Sequence, residues 1–232
     1  MKGKGEGNSE ILEFLSGIPL FSKLSRASLS SLSSECRFKQ VKKGEVLFLQ
    51  SDPPESAYVV SSGKVSIILN SPDGREMVIN EMHKGDIFGE LGILTNKNRS
   101  TSAIARSESE LLVIPHKVFL RIIDDEPQLT RRVLELTVSR LQNSSERESA
   151  LVFMDAQARL AHLLLELDQQ EEDKGYITIS QEELAQRTGL IRQTVAKALG
   201  KWRRKGWLIT GRGKIVLLDH EAFKEMETKM LV

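Results

Sequence analysis

Two stretches of this sequence carry side chains whose types and spacing fit a definite chemistry. The first is basic: from Arg187 to Lys214 there are nine basic residues and no acidic one, a local field that attracts polyanions whatever the charge of the whole chain. Within it stand Arg192, Gln193 and Thr194 and, one helical turn on, Ala196 and Lys197. Arginine can give two parallel donors to guanine, glutamine pairs with the edge of adenine, and lysine reaches a guanine or a phosphate. Thr194 and the N-terminus of a helix can hold a phosphate, and Arg212 and Lys214 would neutralise flanking phosphates. The second stretch is Phe88-Gly89-Glu90-Leu91-Gly92-Ile93-Leu94, followed after Thr95-Asn96-Lys97-Asn98 by Arg99-Ser100-Thr101. Gly89 lets the backbone turn closely over an anion, and a helical turn starting there aims amide N–H groups at it. Arg99 supplies a forked cation matched to phosphate, and Ser100 adds a hydroxyl. Glu90 would be costly beside a phosphate unless it accepts a bond from a ribose hydroxyl.

The elements that must position these residues follow from periodicity and turn signals. Short helices are expected at Glu10–Leu20 and Ser25–Cys36. From Arg37 to Pro115 short apolar or alternating runs recur, at Phe38–Val41, Val46–Gln50, Ala57–Val60, Lys64–Leu69, Met77–Glu81, Thr101–Ala105 and Glu110–Ile114. The turn signals between them, among them Ser71-Pro72-Asp73-Gly74 as a type I turn, predict an all-β barrel or sandwich. A helix at Lys117–Asp124 precedes a long one that starts at Pro127, where proline suits a first turn. Along it Leu134, Thr137, Leu141, Ser144, Glu148 and Leu151 form a heptad-like seam of about 26 Å at 1.5 Å per residue. Two hydroxyls make this seam only half apolar, which suits a dimer helix that also touches something polar.

The C-terminal part alternates helix and short strand. Ala156–Asp168 is an amphipathic helix, Gln169–Lys174 a charged loop and Tyr176–Ile179 a strand. Ser180-Gln181-Glu182-Glu183 is a capping box, Thr188-Gly189 a helix end, and Arg192–Lys205 a second helix with Val195, Ala198, Leu199 and Trp202 facing inward. Trp207–Thr210 and Lys214–Leu218 read as a hairpin. A short helix, a glycine turn, a basic helix and a hairpin together make a winged helix-turn-helix.

Composition narrows the functional classes. The chain has 232 residues, 40% of them hydrophobic and 28% charged, as in an ordinary globular protein. No run of 18 apolar residues is present, so no membrane span is expected. Met1–Glu10 lacks an apolar core, so it reads as a flexible tail rather than a signal peptide, and a cytoplasmic location fits. The single cysteine, Cys36, cannot make an internal disulfide, a tetrathiolate metal site or an iron–sulfur cluster. His83, His116, His162 and His220 are scattered, so neither a metal nor haem is expected. No Ser/His/Asp spacing or Walker pattern points to an enzyme.

The order β-roll, long helix, winged helix-turn-helix resembles the Crp–Fnr superfamily over about residues 12 to 220, most nearly its cyclic-AMP-receptor type. The segment Phe88–Gly92 to Arg99-Ser100 is similar to the phosphate-binding cassette of the nucleotide-sensing members. Leu141-Gln142-Asn143-Ser144-Ser145-Glu146 and Phe153-Met154-Asp155 resemble the end of the dimer helix and its hinge. The resemblance implies an α+β chain. An N-terminal cyclic-nucleotide-binding β-roll (a double-stranded jelly roll) would span 11–126, after a tail at 1–10. A dimerisation helix and hinge would span 127–154, and the winged helix-turn-helix 155–232. It implies a nucleotide site made by Gly89, Glu90, Leu91, Arg99, Ser100, Leu141, Ser144 and Ser145, the last reaching from a partner subunit. It implies DNA contacts by Ser180, Gln181, Ile191, Arg192, Gln193, Thr194, Lys197, Lys201, Arg212 and Lys214. Expected partners are double-stranded DNA with a pseudo-palindromic operator, a second copy of the chain and RNA polymerase. The expected effector is a cyclic nucleotide, cyclic AMP first, with cyclic di-GMP or ligand-independent activity as alternatives. One departure bears on the operator. A cyclic-AMP-sensing member reads Arg-Glu-Thr-Val-Gly-Arg where this chain has Arg192-Gln193-Thr194-Val195-Ala196-Lys197, and glutamine prefers adenine where glutamate accepts from cytosine. The clustered cysteines of the family's oxygen sensors are absent.

Overall fold

The computed structural model describes residues 4–71, 74–171 and 174–227. Packing divides the chain into two compact units, Met1–Ser139 and Arg140–Val232.

The first unit opens with two helices, α1 (Lys4–Gly17) and α2 (Arg26–Glu35), the latter capped by the Ser25 side chain, which accepts from the Ser28 N–H. Helix α1 starts at Lys4, so residues 4–10 of the expected tail are helical. Once Ile11 and Leu15 are buried (6% and 0% exposed), each preceding residue joins the helix for one further hydrogen bond without a new nucleation cost.

Eight strands follow: β1 (Arg37–Val41), β2 (Val46–Phe48), β3 (Ser56–Ser62), β4 (Val65–Asn70), β5 (Glu76–Met82), β6 (Ile87–Phe88), β7 (Ser102–Ala105) and β8 (Ser109–Pro115). They form two four-stranded antiparallel sheets, ordered β1-β8-β3-β6 and β2-β7-β4-β5. Val41, Val60, Phe88 and Leu111 of the first sheet meet Phe48, Val65, Ile67, Met82, Ala103 and Ala105 of the second in one core. The all-β domain expected from the spacing of the runs is therefore present, as the β-roll that the resemblance implies. Strand β6, which was not expected, has two residues, too few for any periodicity to register. In the turn at Ser71–Gly74 the Gly74 N–H donates to the Ser71 carbonyl at 2.9 Å, while Pro72 and Asp73 lie outside the described residues.

Between β6 and β7 sits α3 (Glu90–Thr95). After β8 come α4 (His116–Asp125) and α5 (Pro127–Phe153). A second core gathers Leu15, Phe21 and Leu32 of the N-terminal segment, Val118, Phe119 and Ile122 of α4, and Leu129 and Val133 of α5. They close over Ala57, Val59, Leu112 and Ile114, on strands of the first sheet.

The second unit contains α6 (Ala156–Gln170), β9 (Ile177–Thr178), α7 (Gln181–Thr188), α8 (Arg192–Arg204), β10 (Leu208–Gly211), β11 (Lys214–Leu217) and α9 (His220–Glu227). Its three-stranded sheet has the order β10-β11-β9. Leu160, Leu164, Leu184, Val195, Leu199, Trp202 and Phe223 form its core. Helix α6 absorbs Gln169 and Gln170 of the expected loop, whose Glu172 and Asp173 lie outside the described residues. Helix α9 was not expected. It starts where the Asp219 side chain accepts from the Ala222 N–H at 3.0 Å, and it is anchored by Phe223, edge-on to Trp202 at 5.2 Å and to Trp207 at 6.3 Å.

Candidate nucleotide pocket and nucleic-acid interface

The cassette is built around a buried cation. Arg99 is 5% exposed. Its guanidinium donates through Nη1 to the Gly89 carbonyl and through Nη2 to the Ser56 carbonyl at 2.5 Å, and it lies over the Phe48 ring, 4.2 Å from the centroid. Its Nε is buried and has no hydrogen-bond partner among the described residues. Burial lowers the Arg99 pKa from its ordinary value, and the nearby Tyr58, Glu90, Asp52 and Glu55 oppose that shift. A buried cation held by two neutral carbonyls, with N–H donors left over and that of Nε among them, is poised for an anion.

Gly89 is required here twice over. It has φ +78, in the left-handed region, as the residue that starts α3. A Cβ on it would stand 2.8 Å from Arg99 Nη1 and 3.3 Å from the Ser56 carbonyl oxygen. Glu90 is 1% exposed, whereas Leu91 is 41% exposed and Ser100 is exposed. The main chain of the cassette is tied to the loop after β2: the Arg99 N–H donates to the Asp52 carbonyl and the Ser51 N–H to the Arg99 carbonyl, each at 2.8 Å. The structure thus brings Gly89, Glu90 and Arg99 together. It also adds Phe48 and Ser56, which sequence reasoning missed. Ser56 acts through its backbone, which has no side-chain signal, and Phe48 arrives from another strand.

Leu141, Ser144 and Ser145 lie on α5 in the second unit. Leu141 and Ser145 are exposed and Ser144 is half-buried. Leu134 (62% exposed) and Val138 (46%) share that helix with them. Helix α5 ends at Phe153. After Met154, Asp155 caps α6, its carboxylate accepting from the N–H groups of Gln157 at 2.7 Å and Ala158 at 2.8 Å. Met154 and Asp155 therefore separate α5 from α6.

The helix-turn-helix is assembled by its caps and core. Ser180 caps α7 by accepting from the Glu183 N–H at 3.1 Å, and Gly189 ends it with φ +68. Val195, Ala198, Leu199 and Trp202 bury one face of α8. Arg192, Gln193 and Lys197 stand exposed on the other, as do Ser180, Gln181 and Ile191, and Thr194 is half-buried. Lys201 is turned aside: its Nζ donates to Gln157 Oε1 at 3.0 Å. In the hairpin Arg212 is exposed, and the Lys214 ammonium sits 4.1 Å over the Tyr176 ring. Among the described residues no group of His, Cys, Asp and Glu could hold a metal ion, and no helix is long and apolar enough to cross a membrane.

Comparison with known proteins agrees with both halves of this geometry. Residues 38–126 match the cyclic nucleotide-binding domain family, and residues 158–226 match the Crp-like helix-turn-helix domain family. The chain is 30% identical to the CRP-like cAMP-activated global transcriptional regulator of Mycobacterium tuberculosis over 213 residues, 89% of this chain and 95% of that protein. It is 29% identical to the cAMP-activated global transcriptional regulator CRP of Escherichia coli O157:H7, over 80% of this chain and 90% of that one. In fold it is similar to the c-di-GMP responsive global regulator CLP of Xanthomonas campestris, with a TM-score of 0.76 and 24% identity over 83% of this chain and 99% of that one. The chain belongs to the Crp–Fnr superfamily, as a DNA-binding transcription regulator responsive to a cyclic nucleotide and not an enzyme.

Proposed function

We propose that the effector is cyclic AMP and that the chain works in the cytoplasm as a homodimer, paired along α5. In this reading residues 11–126 sense the ligand, 127–154 form the dimerisation helix and hinge, and 155–232 bind DNA. Arg99 and Ser100 with the Gly89 turn hold the phosphate, Glu90 the ribose, and Leu141, Ser144 and the partner's copy of Ser145 the base. Exposed Leu134, Val138 and Leu141, at four- and three-residue spacing, support a helix–helix seam. Arg192, Gln193 and Lys197 read a pseudo-palindromic operator, with Ser180, Gln181, Ile191, Thr194, Lys201, Arg212 and Lys214 along the backbone. The Phe153–Asp155 break lets bound nucleotide set the two recognition helices roughly 34 Å apart, one DNA turn. A ligand can do so only in proportion to its preference for the DNA-competent state. RNA polymerase is the downstream partner.

The observation that carries this reading is the buried Arg99 guanidinium with its unpartnered Nε beside the Gly89 turn. The residues present fit a cyclic phosphodiester, whose charge would replace carbonyl dipoles as the partner of a desolvated cation. The test is calorimetry with cyclic AMP, cyclic GMP and cyclic di-GMP, paired with gel shifts in the presence of each and sedimentation to give the oligomeric state. Cyclic AMP is expected to bind and to raise DNA affinity, and Arg99→Leu to abolish both effects. Unchanged nucleotide affinity in Arg99→Leu, or tighter coupling to another nucleotide, would refute it.

A further inference from the structure

Helix α8 carries a glycine in its interior, Gly200, where glycine is less favourable than alanine and calls for a reason. At 100° per residue Gln193, Lys197, Gly200 and Arg204 fall on one line, spaced four, three and four apart, opposite the buried face of Val195, Ala198, Leu199 and Trp202. The line is roughly 17 Å long at 1.5 Å per residue. Arg204, at its far end, does not extend away from the helix. Its guanidinium folds back over residue 200, with Nη1 3.7 Å from where a Cβ on Gly200 would stand. Arg204 is exposed and makes no hydrogen bond or ion pair among the described residues. Its basic neighbours are differently placed: Lys201 is bound to Gln157, and Lys205 is stacked on Trp207 at 4.0 Å.

We propose that Gly200 and Arg204 form a phosphate-contact element of the DNA interface, in which the bare backbone at residue 200 lets a phosphodiester of the duplex approach and the Arg204 guanidinium closes on it. A helix entering the major groove by its N-terminus brings Gln193 and Lys197 to base edges. The upper part of the same line then passes the groove wall, where the backbone phosphates run. A small residue there removes a side chain that would hold the strand off, and a forked cation with no internal partner suits the phosphate. The contact is blind to sequence. Its role is to fix the depth and register at which Gln193 and Lys197 read.

This inference rests on the DNA-binding reading of α8, and the test separates the two. With and without saturating cyclic AMP, full-length wild type, Arg204→Ala, Arg204→Lys, Arg203→Ala and Arg192→Ala are titrated with a duplex selected by the wild type from a random pool and with an unselected duplex, across a salt series. Arg204→Ala is expected to weaken both duplexes by the same factor, of order tenfold for a dimer. It should also reduce the magnitude of the salt slope by about two, at about 0.9 per phosphate in each protomer. Arg204→Lys should recover most of the slope, and Arg203→Ala, one residue off the line, should change it less. Arg192→Ala should instead relax discrimination between the duplexes. An unchanged slope in Arg204→Ala, an equal loss in Arg203→Ala, or a loss confined to the selected duplex overturns the proposed contact while leaving the DNA-binding reading intact. Failure of the wild type to bind either duplex overturns both.

Discussion

Replacing Gly89 with alanine tests whether the cassette is a mechanical unit of turn and cation. Two separate costs are involved. An L-residue at φ +78 loses about 1–2 kcal/mol against glycine. The new Cβ would also meet Arg99 Nη1 at 2.8 Å, so the guanidinium must move. Arg99 is buried, bonded to the Gly89 and Ser56 carbonyls and stacked on Phe48, so moving it forfeits at least one charged hydrogen bond, about 1.5–3 kcal/mol. The sum is about 2.5–5 kcal/mol. In a unit of this size that corresponds to a fall in Tm of order 10 °C, and the part that displaces Arg99, about 1.5–3 kcal/mol, should lower nucleotide affinity by roughly ten- to a hundredfold. The assay is a double-mutant cycle with Arg99→Ala read by thermal unfolding, with calorimetric titration comparing Gly89→Ala and wild type. In the Arg99→Ala background Gly89→Ala should retain only its backbone cost, about 1–2 kcal/mol. An identical penalty in both backgrounds would show that the two residues do not act as a pair, and the account of the pocket would fail.

Two further outcomes follow from the caps and the buried thiol. Ser180→Ala removes the side chain that accepts from the Glu183 N–H. It should destabilise the second unit by about 1 kcal/mol, lowering its unfolding transition by roughly 4–8 °C and leaving nucleotide affinity in the β-roll unchanged. Burial, with a smaller contribution from Glu35, pushes the Cys36 thiol from 9.0 up to about 12. The native protein should therefore resist a thiol-disulfide reagent at mildly alkaline pH and react only on opening. Because the folded-state value is raised, this group's contribution to stability is complete below pH 9 and is lost as pH rises towards 12. Denaturant titrations of Cys36→Ala and wild type should diverge over that interval, and parallel curves would count against the burial.

Much of the architecture was legible because the signals were local. Pro127 marks the start of α5, Ser180 and Gly189 bracket α7, and the alternation of Val65 and Ile67 with turn residues around them marks β4. The exposed triplet Arg192, Gln193 and Lys197 was legible for the same reason, since a 3.6-residue period separates it from Val195, Ala198 and Trp202. What escaped depends on distant partners. Strand β6 exists only because Ile87 and Phe88 pair with Val59 and Tyr58. Helix α9 has little apolar surface of its own and is held by Phe223 against Trp202 and Trp207. Its one local cue, Asp219 three residues before Ala222, is a cap that could have been read. The pocket floor is of the same kind. Phe48 lies over fifty residues from Arg99 in sequence order, on a strand whose register with β7 is set by the sheet and not by any motif.

The distribution of aromatic residues has a practical consequence. Both tryptophans of the chain, Trp202 and Trp207, belong to the second unit, and the β-roll has none. Trp202 is fully buried against Phe223, and Trp207 lies beneath the Lys205 ammonium. Of the two tyrosines, Tyr58 stacks on Phe88 beside the cassette and Tyr176 underlies Lys214 in the wing. Indole emission is thus a private channel of the DNA-binding half. A change in it when nucleotide is added shows that the tryptophan-bearing unit has responded, so the unlabelled protein can report that response and its kinetics in a stopped-flow fluorimeter.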